Sequence, residues 1–354
     1  MTLHSSPTRR AFTLPETLVV LACALTVVAV AVPVLGSVGV RSGDAVSLSN
    51  LRTISTANDA YAQTFSNRQV TWIPDNTGTV QGSCSAYIAT YGCPNPMFLG
   101  TAPSGVLWGY FLGTPCPGAG NCGNFDVYKP LAFSGGNKGF GCFRVPNADA
   151  FNEFLDGAFY GDVWYSPNDD ARSNLTAAFR DAGVDFDVPT GTEIAFSTYC
   201  LSPAAMYHPD VFGSAFGGFR SPDTFAEGYA SPSVTQCRYP ALKTRMIEHD
   251  WCHGTPSWRN PGFTGQEPHY FNASAEAAPL SLFFDGHIAR VSNAQVIAED
   301  QALFESSGQR LWSRTTPFGP TGYFGNVAVD GSGKTSHTIL TIDGILGRDT
   351  LGEK

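Results

Sequence analysis

The sequence predicts an α+β protein: a long N-terminal transmembrane and stalk helix, followed by a loop-rich, disulfide-pinned head with an antiparallel β-sheet. Three observations predict it. Thr17 to Val40 carries no charged side chain. Beyond it, Leu48, Leu51, Ile54, Tyr61 and Phe65 recur on one helical face. The rest of the chain is cut by turn residues and cysteines into short β-branched and aromatic runs, with 38 glycines and 24 prolines in the whole sequence.

The uncharged stretch is 24 residues, a helix of about 36 Å, enough to cross about 30 Å of hydrocarbon. Arg9 and Arg10 stand before it and only Arg41 just after it, so the positive-inside rule places residue 1 in the cytoplasm and the bulk outside. The expected organisation is a leader over 1–11, a transmembrane helix over 12–40, an amphipathic stalk helix over 41–66 and an exported head over 67–354. Glycines between 39 and 43 weaken a continuous helix there, and a separate short helix is an equal reading.

Only 14% of residues are charged, against about 25% in ordinary soluble domains. An aromatic content of 12% nevertheless supplies a core. The formal charge is −9 and becomes −11 once the two leader arginines are removed, which argues against nucleic acid as a partner. Of nine cysteines, Cys23 lies in the apolar run. The other eight, Cys84, Cys93, Cys116, Cys122, Cys142, Cys200, Cys237 and Cys252, are an even set that reads as four disulfides in an exported head, with 105 possible pairings.

The stretch Arg9-Arg10-Ala11-Phe12-Thr13-Leu14-Pro15-Glu16 ahead of the apolar run resembles the processing site of type IV prepilins and type II secretion pseudopilins. The resemblance implies a pilin-like fold, cleavage by prepilin peptidase between Ala11 and Phe12, and N-methylation of Phe12. It also implies assembly roles for Glu16 and Pro33, the fifth and twenty-second mature positions. Ala11 replaces the usual Gly, and Pro15 stands where an aliphatic residue is common; proline suits the first turn of a helix. The chemistry of the register is independent of the likeness. A carboxylate at the edge of an apolar span needs a partner, and the freed ammonium of Phe12 in a neighbouring subunit supplies one. Three other readings of the same segment are a twin-arginine signal ending at Ala29-Val30-Ala31, a lipoprotein box at Val20-Leu21-Ala22-Cys23, and a plain signal anchor.

In the head, the dense Gly, Pro and Cys content from Thr71 to Phe143 reads as loops and short strands. Phe151, Phe154, Leu155 and Phe159, and the stretch Asp170 to Ala182, have helical spacing, while Ile194 to Cys200 and Thr244 to Trp251 read as strands. Asp285-Gly286 between Ser281-Leu282-Phe283-Phe284 and His287-Ile288-Ala289-Arg290-Val291 reads as a hairpin with a two-residue type I′ turn. The same dipeptide resembles the head motif of a group of prepilin-like proteins, a His, nine residues, then Asp-Gly. The upstream position here is Ala275.

No catalytic motif is present, and no catalytic or metal residue is assigned. Calcium is the one cofactor considered, at Asp169, Asp170, Asp181, Asp185 and Asp187, which lack an EF-hand pattern. Zinc at His249, Cys252 and His253 is the weaker alternative to a disulfide. The expected function is non-enzymatic, a subunit in a minor or tip position of a type IV pilus or secretion pseudopilus. Its expected partners are prepilin peptidase, other pilin or pseudopilin subunits and the inner membrane. It would span that membrane once, with the head in the periplasm or at the cell surface. The alternative is a membrane-anchored extracytoplasmic binding module for a glycan or secreted protein.

Overall fold

The structure, a computed structural model, describes residues 21, 43–70, 75–81, 84–91, 98–101, 107–109, 125–127, 149–155, 161–167, 197–248, 278–315 and 340–352. The chain divides into two compact units, Met1–Ala45 and Val46–Lys354; the contacts described below lie within the second.

Residues 43–64 are helical (α1). From residue 46 the helix belongs to the head unit, and its buried positions, Ser47, Leu51, Ile54, Ala57, Asn58 and Ala62, fall at helical spacing. Arg52, Thr53, Thr56, Asp59 and Gln63 face solvent. The helix stops where Ser66 and Asn67 adopt left-handed φ of 56° and 62°, and the Asn67 amide donates to the Ala62 carbonyl.

Under α1 lies a four-stranded antiparallel sheet in chain order: β4 Tyr199–Leu201, β5 Thr244–Glu248, β6 Leu280–Phe283 and β7 Ile288–Arg290. A second sheet joins β1 Phe98–Thr101 to β2 Leu107–Gly109 antiparallel, and β2 to β3 Phe125–Val127 parallel. The other α-helices among the described residues are α2 (Cys84–Tyr91), α3 (Asp149–Asn152) and α4 (Asn293–Ser307). Every residue of β5 is buried, as expected of a strand covered on both faces. The helix reads the sheet through polar side chains as well as apolar ones. Ser47 Oγ donates to Glu248 Oε1 at 3.0 Å, and Asn50 Nδ2 donates to the Tyr165 carbonyl at 3.0 Å and the Tyr199 hydroxyl at 3.3 Å. Between Thr244 and Met246 the β5–β6 register slips, leaving Arg245 as the extra residue of a bulge. From there Arg245 Nη1 reaches Asp59 Oδ1 of α1 at 2.7 Å.

Helix α4 starts on a Ser292 cap, whose Oγ accepts from the Gln295 amide, and ends at Gly308 with φ 71°. The chain then returns in residues 340–352 across the start of β5, where the Asp349 amide donates to the Leu242 carbonyl.

Three expectations are corrected. Among the described residues no helix is long and apolar enough to cross a membrane, so the long N-terminal transmembrane and stalk helix of a pilin-like architecture is not seen. The physical reason lies in α1. Its polar side chains take up a whole face, and its apolar face, with Leu51 and Ile54 fully buried, is part of the core of the head. Packing against the head is what the sequence predicts for residues 41–66, but a helix with one polar face is no part of an apolar membrane span. The expected span over 12–40 lies, Leu21 apart, outside the described residues. Second, the head is not pinned at the two cysteines whose side chains are described: Cys200 and Cys237 stand as thiols. Burial raises the Cys237 thiol to about 11, which keeps it protonated and unreactive. Third, the hairpin turn has three residues instead of two. Phe283 pairs with His287 through a 2.9 Å amide-to-carbonyl bond, the Gly286 amide closes on the Phe283 carbonyl, and only Gly286, with φ 87°, is left-handed. This is the geometry of a type I turn followed by a bulge glycine.

Candidate functional site

Ala11, Phe12, Glu16 and Pro33 lie outside the described residues, as do the histidines and aspartates weighed as metal ligands. Among the described residues no group of three or more His, Cys, Asp or Glu side chains is placed to hold a metal ion. Asp285 and Gly286 are at the exposed tip of the β6–β7 hairpin. There Asp285 Oδ1 accepts from the His287 amide at 3.1 Å and meets His287 Nδ1 at 2.6 Å, while the imidazole stacks on Phe283 with ring centroids 4.2 Å apart. The Asp285 amide donates to the Pro240 carbonyl and the Phe284 amide to the Lys243 carbonyl, tying the tip to the loop that precedes β5. The motif thus orders a turn and orients one imidazole.

Behind that loop is a closed charge cluster. Lys243 Nζ donates to Asp349 Oδ2 at 2.9 Å, Thr341 Oγ1 at 2.8 Å and Ser202 Oγ at 3.0 Å. Asp349 also accepts from the Thr244 amide and the Thr341 hydroxyl. Burial by itself would push the Asp349 carboxyl up, but the Lys243 ammonium and these hydrogen bonds outweigh it and hold the group below its usual range. With side-chain exposures of 0% and 1%, this pair fastens the returning chain to β5.

A second charge cluster faces outward. Asp300 of α4, 3% exposed, accepts from Arg310 Nη1 and Arg314 Nη2, both at 2.7 Å, and from the Leu311 amide at 2.8 Å. Arg310 lies over the Phe304 ring at 3.8 Å and Arg314 over Trp312 at 3.9 Å. Partial burial pulls the Arg314 guanidinium below its usual value, against the opposing pull of Asp300. Both arginines line a cavity of about 310 Å³. It is also lined by Ser214, Gly217 and Gly218, and by Ile342 and Asp343 from the returning chain. Asp343 holds φ 61° and accepts the Ser214 amide at 2.7 Å.

None of the cavity residues is among those singled out by sequence. The signals that point to it are the Ser292 and Gly308 caps, which delimit α4, and the Arg310-x-x-x-Arg314 pair directly after it. Comparison of the chain with protein-family models, curated proteins and solved structures finds no match in any of the three.

Proposed function

We propose that the chain is a non-enzymatic subunit, in a minor or tip position, of a type IV pilus or a type II secretion-like pseudopilus. Prepilin peptidase cuts it after Ala11, Phe12 is methylated, and the mature N-terminal segment enters the filament with Glu16 facing the Phe12 ammonium of a neighbouring subunit. Before assembly it sits in the bacterial inner membrane with residue 1 in the cytoplasm and the head in the periplasm. The observation that carries this reading is the register of one segment: Arg9-Arg10, a small Ala11, Phe12-Thr13-Leu14, Glu16 and Pro33, set against 24 uncharged residues. A head from Val46 to Lys354, far larger than a repeating fibre subunit requires, supports a minor or tip place.

The test is mass spectrometry of the mature N-terminus from cells with and without active prepilin peptidase. The expected result is a peptide beginning at N-methyl-Phe12 that disappears without the enzyme. A terminus near Val32, or an uncut leader, sinks the reading and returns the chain to a secreted or plainly anchored protein.

A further inference from the structure

We infer that the cavity behind α4 is a binding subsite for a neutral sugar residue. The inference goes beyond the filament reading and does not depend on how Phe12 is processed. Its volume of about 310 Å³ is at the small end of the roughly 300–1,000 Å³ typical of ligand sites, a size for one ring and not an extended polymer. The wall is mixed: Arg310, Arg314, Gln309 and Asp343 supply polar groups within a larger apolar lining that includes Trp312 and Ile342.

Two arginines ordinarily suggest an anion such as a phosphate or carboxylate. Here the charge is already spent. Asp300 takes one bond from each guanidinium, and Asp343 adds a second carboxylate in the lining. Two cations and two anions leave the cavity neutral, and an anionic ligand would meet Asp343 at close range. A sugar hydroxyl is both donor and acceptor. Neighbouring hydroxyls can accept from the guanidinium edges and donate to Asp343, with Gln309 offering either role. The site is also preorganised: the arginines are held on the Phe304 and Trp312 faces, and Asp343 is fixed by the Ser214 amide.

The experiment uses the full chain in a zwitterionic, sugar-free detergent. Saturation-transfer NMR is run with the methyl glycosides of glucose, galactose, mannose and N-acetylglucosamine, and with galacturonate; inorganic phosphate is added as competitor. At least one neutral glycoside is expected to bind. Asp343→Asn, which keeps the acceptor for Ser214 and tolerates a left-handed φ, should weaken it roughly tenfold or more, as loss of a charge-assisted bond does. Gln309→Ala, at an exposed position, should weaken it a few-fold without touching the fold, checked by an unchanged melting temperature. The inference is overturned if no neutral glycoside binds, or if Asp343→Asn leaves neutral binding unchanged. It is equally overturned if galacturonate or phosphate binds more tightly than the neutral sugars and Asp343→Asn strengthens that binding.

Discussion

Two of the buried carboxylates in the head, Asp349 and Asp300, are built from the same parts and put to different ends. Asp349 and Asp300 each accept one backbone amide, from Thr244 and Leu311, and each neutralises cationic side chains. Around Asp349 the cation is sealed: Lys243 has 0% side-chain exposure and every contact of its ammonium is inside the protein. Around Asp300 the cations are arginines with 27% and 28% exposure, stacked on aromatic rings and edged toward a cavity. A compact ammonium can be surrounded by three oxygens, whereas a planar guanidinium keeps donors left over in its own plane. The first arrangement closes the fold and the second presents donors to a ligand.

The largest effect should come from breaking the sealed pair. Asp349→Ala strands the Lys243 ammonium and is expected to cost about 3–5 kcal/mol, read by urea unfolding. Replacing both partners, Lys243→Met with Asp349→Leu, should recover part of that loss because no charge is left buried. The same pair sets the acid response. The folded Asp349 carboxyl lies below its ordinary 3.8. Its contribution is therefore fully present above the unfolded value and is lost as pH falls from about 5 through the lower, folded value. Stability of the Asp349→Ala chain should fall less steeply over that window. An equally steep fall would place the acid-sensitive group elsewhere.

Asp300→Asn should cost less, about 1.5–3 kcal/mol, because Arg310 and Arg314 are part-exposed and can be rehydrated once the carboxylate is gone. The Asn oxygen can still accept the Leu311 amide. Equal costs for Asp300→Asn and Asp349→Ala would show that the outward cluster is as structural as the sealed one, and the contrast between them would be lost.

Sequence and structure agree where the signal is local. The stretch read as a strand over Thr244 to Trp251 is one over its described part, Thr244–Glu248, and the Leu51 and Ile54 face of α1 follows its spacing, because both depend on which side of one element meets a core. The same pattern misplaces Phe65. It follows the last helical turn at residue 64 and is 46% exposed, stacked on Tyr61 at 4.4 Å. Helix α4 escapes periodicity because its apolar residues are sparse, and what defines it is its caps. The two carboxylate clusters differ in reach. Asp300 and Arg310 are ten residues apart and are signalled by the helix end between them, while Lys243 and Asp349 are separated by 106 positions and meet only through tertiary pairing. Of the eight cysteines only Cys200 and Cys237 can be compared with that expectation, and an even count says nothing of burial: Cys200 is a β4 core residue with 0% exposure.

The smallest effect belongs to the hairpin tip, where charge is exposed instead of buried. Gly286→Ala should cost about 1–2 kcal/mol, since φ is 87° and an added Cβ meets nothing within 4 Å, so the penalty is backbone strain alone. Gly286→Asn should cost less than the alanine change, because asparagine visits that region more readily. Asp285→Ala provides the contrast. In a two-residue type I′ turn, position 285 would also be left-handed, and alanine there would cost as much as at 286. In the three-residue turn observed, it removes only the exposed contacts of the carboxylate with the His287 amide and imidazole, the latter worth about 0–1 kcal/mol in pairs of this kind. Unfolding data that rank Gly286→Ala well above Asp285→Ala support the bulge geometry, and equal losses would restore the tighter turn. Either result also bears on the motif, because a turn held by Gly286 leaves Asp285 free to orient His287 toward whatever the tip contacts.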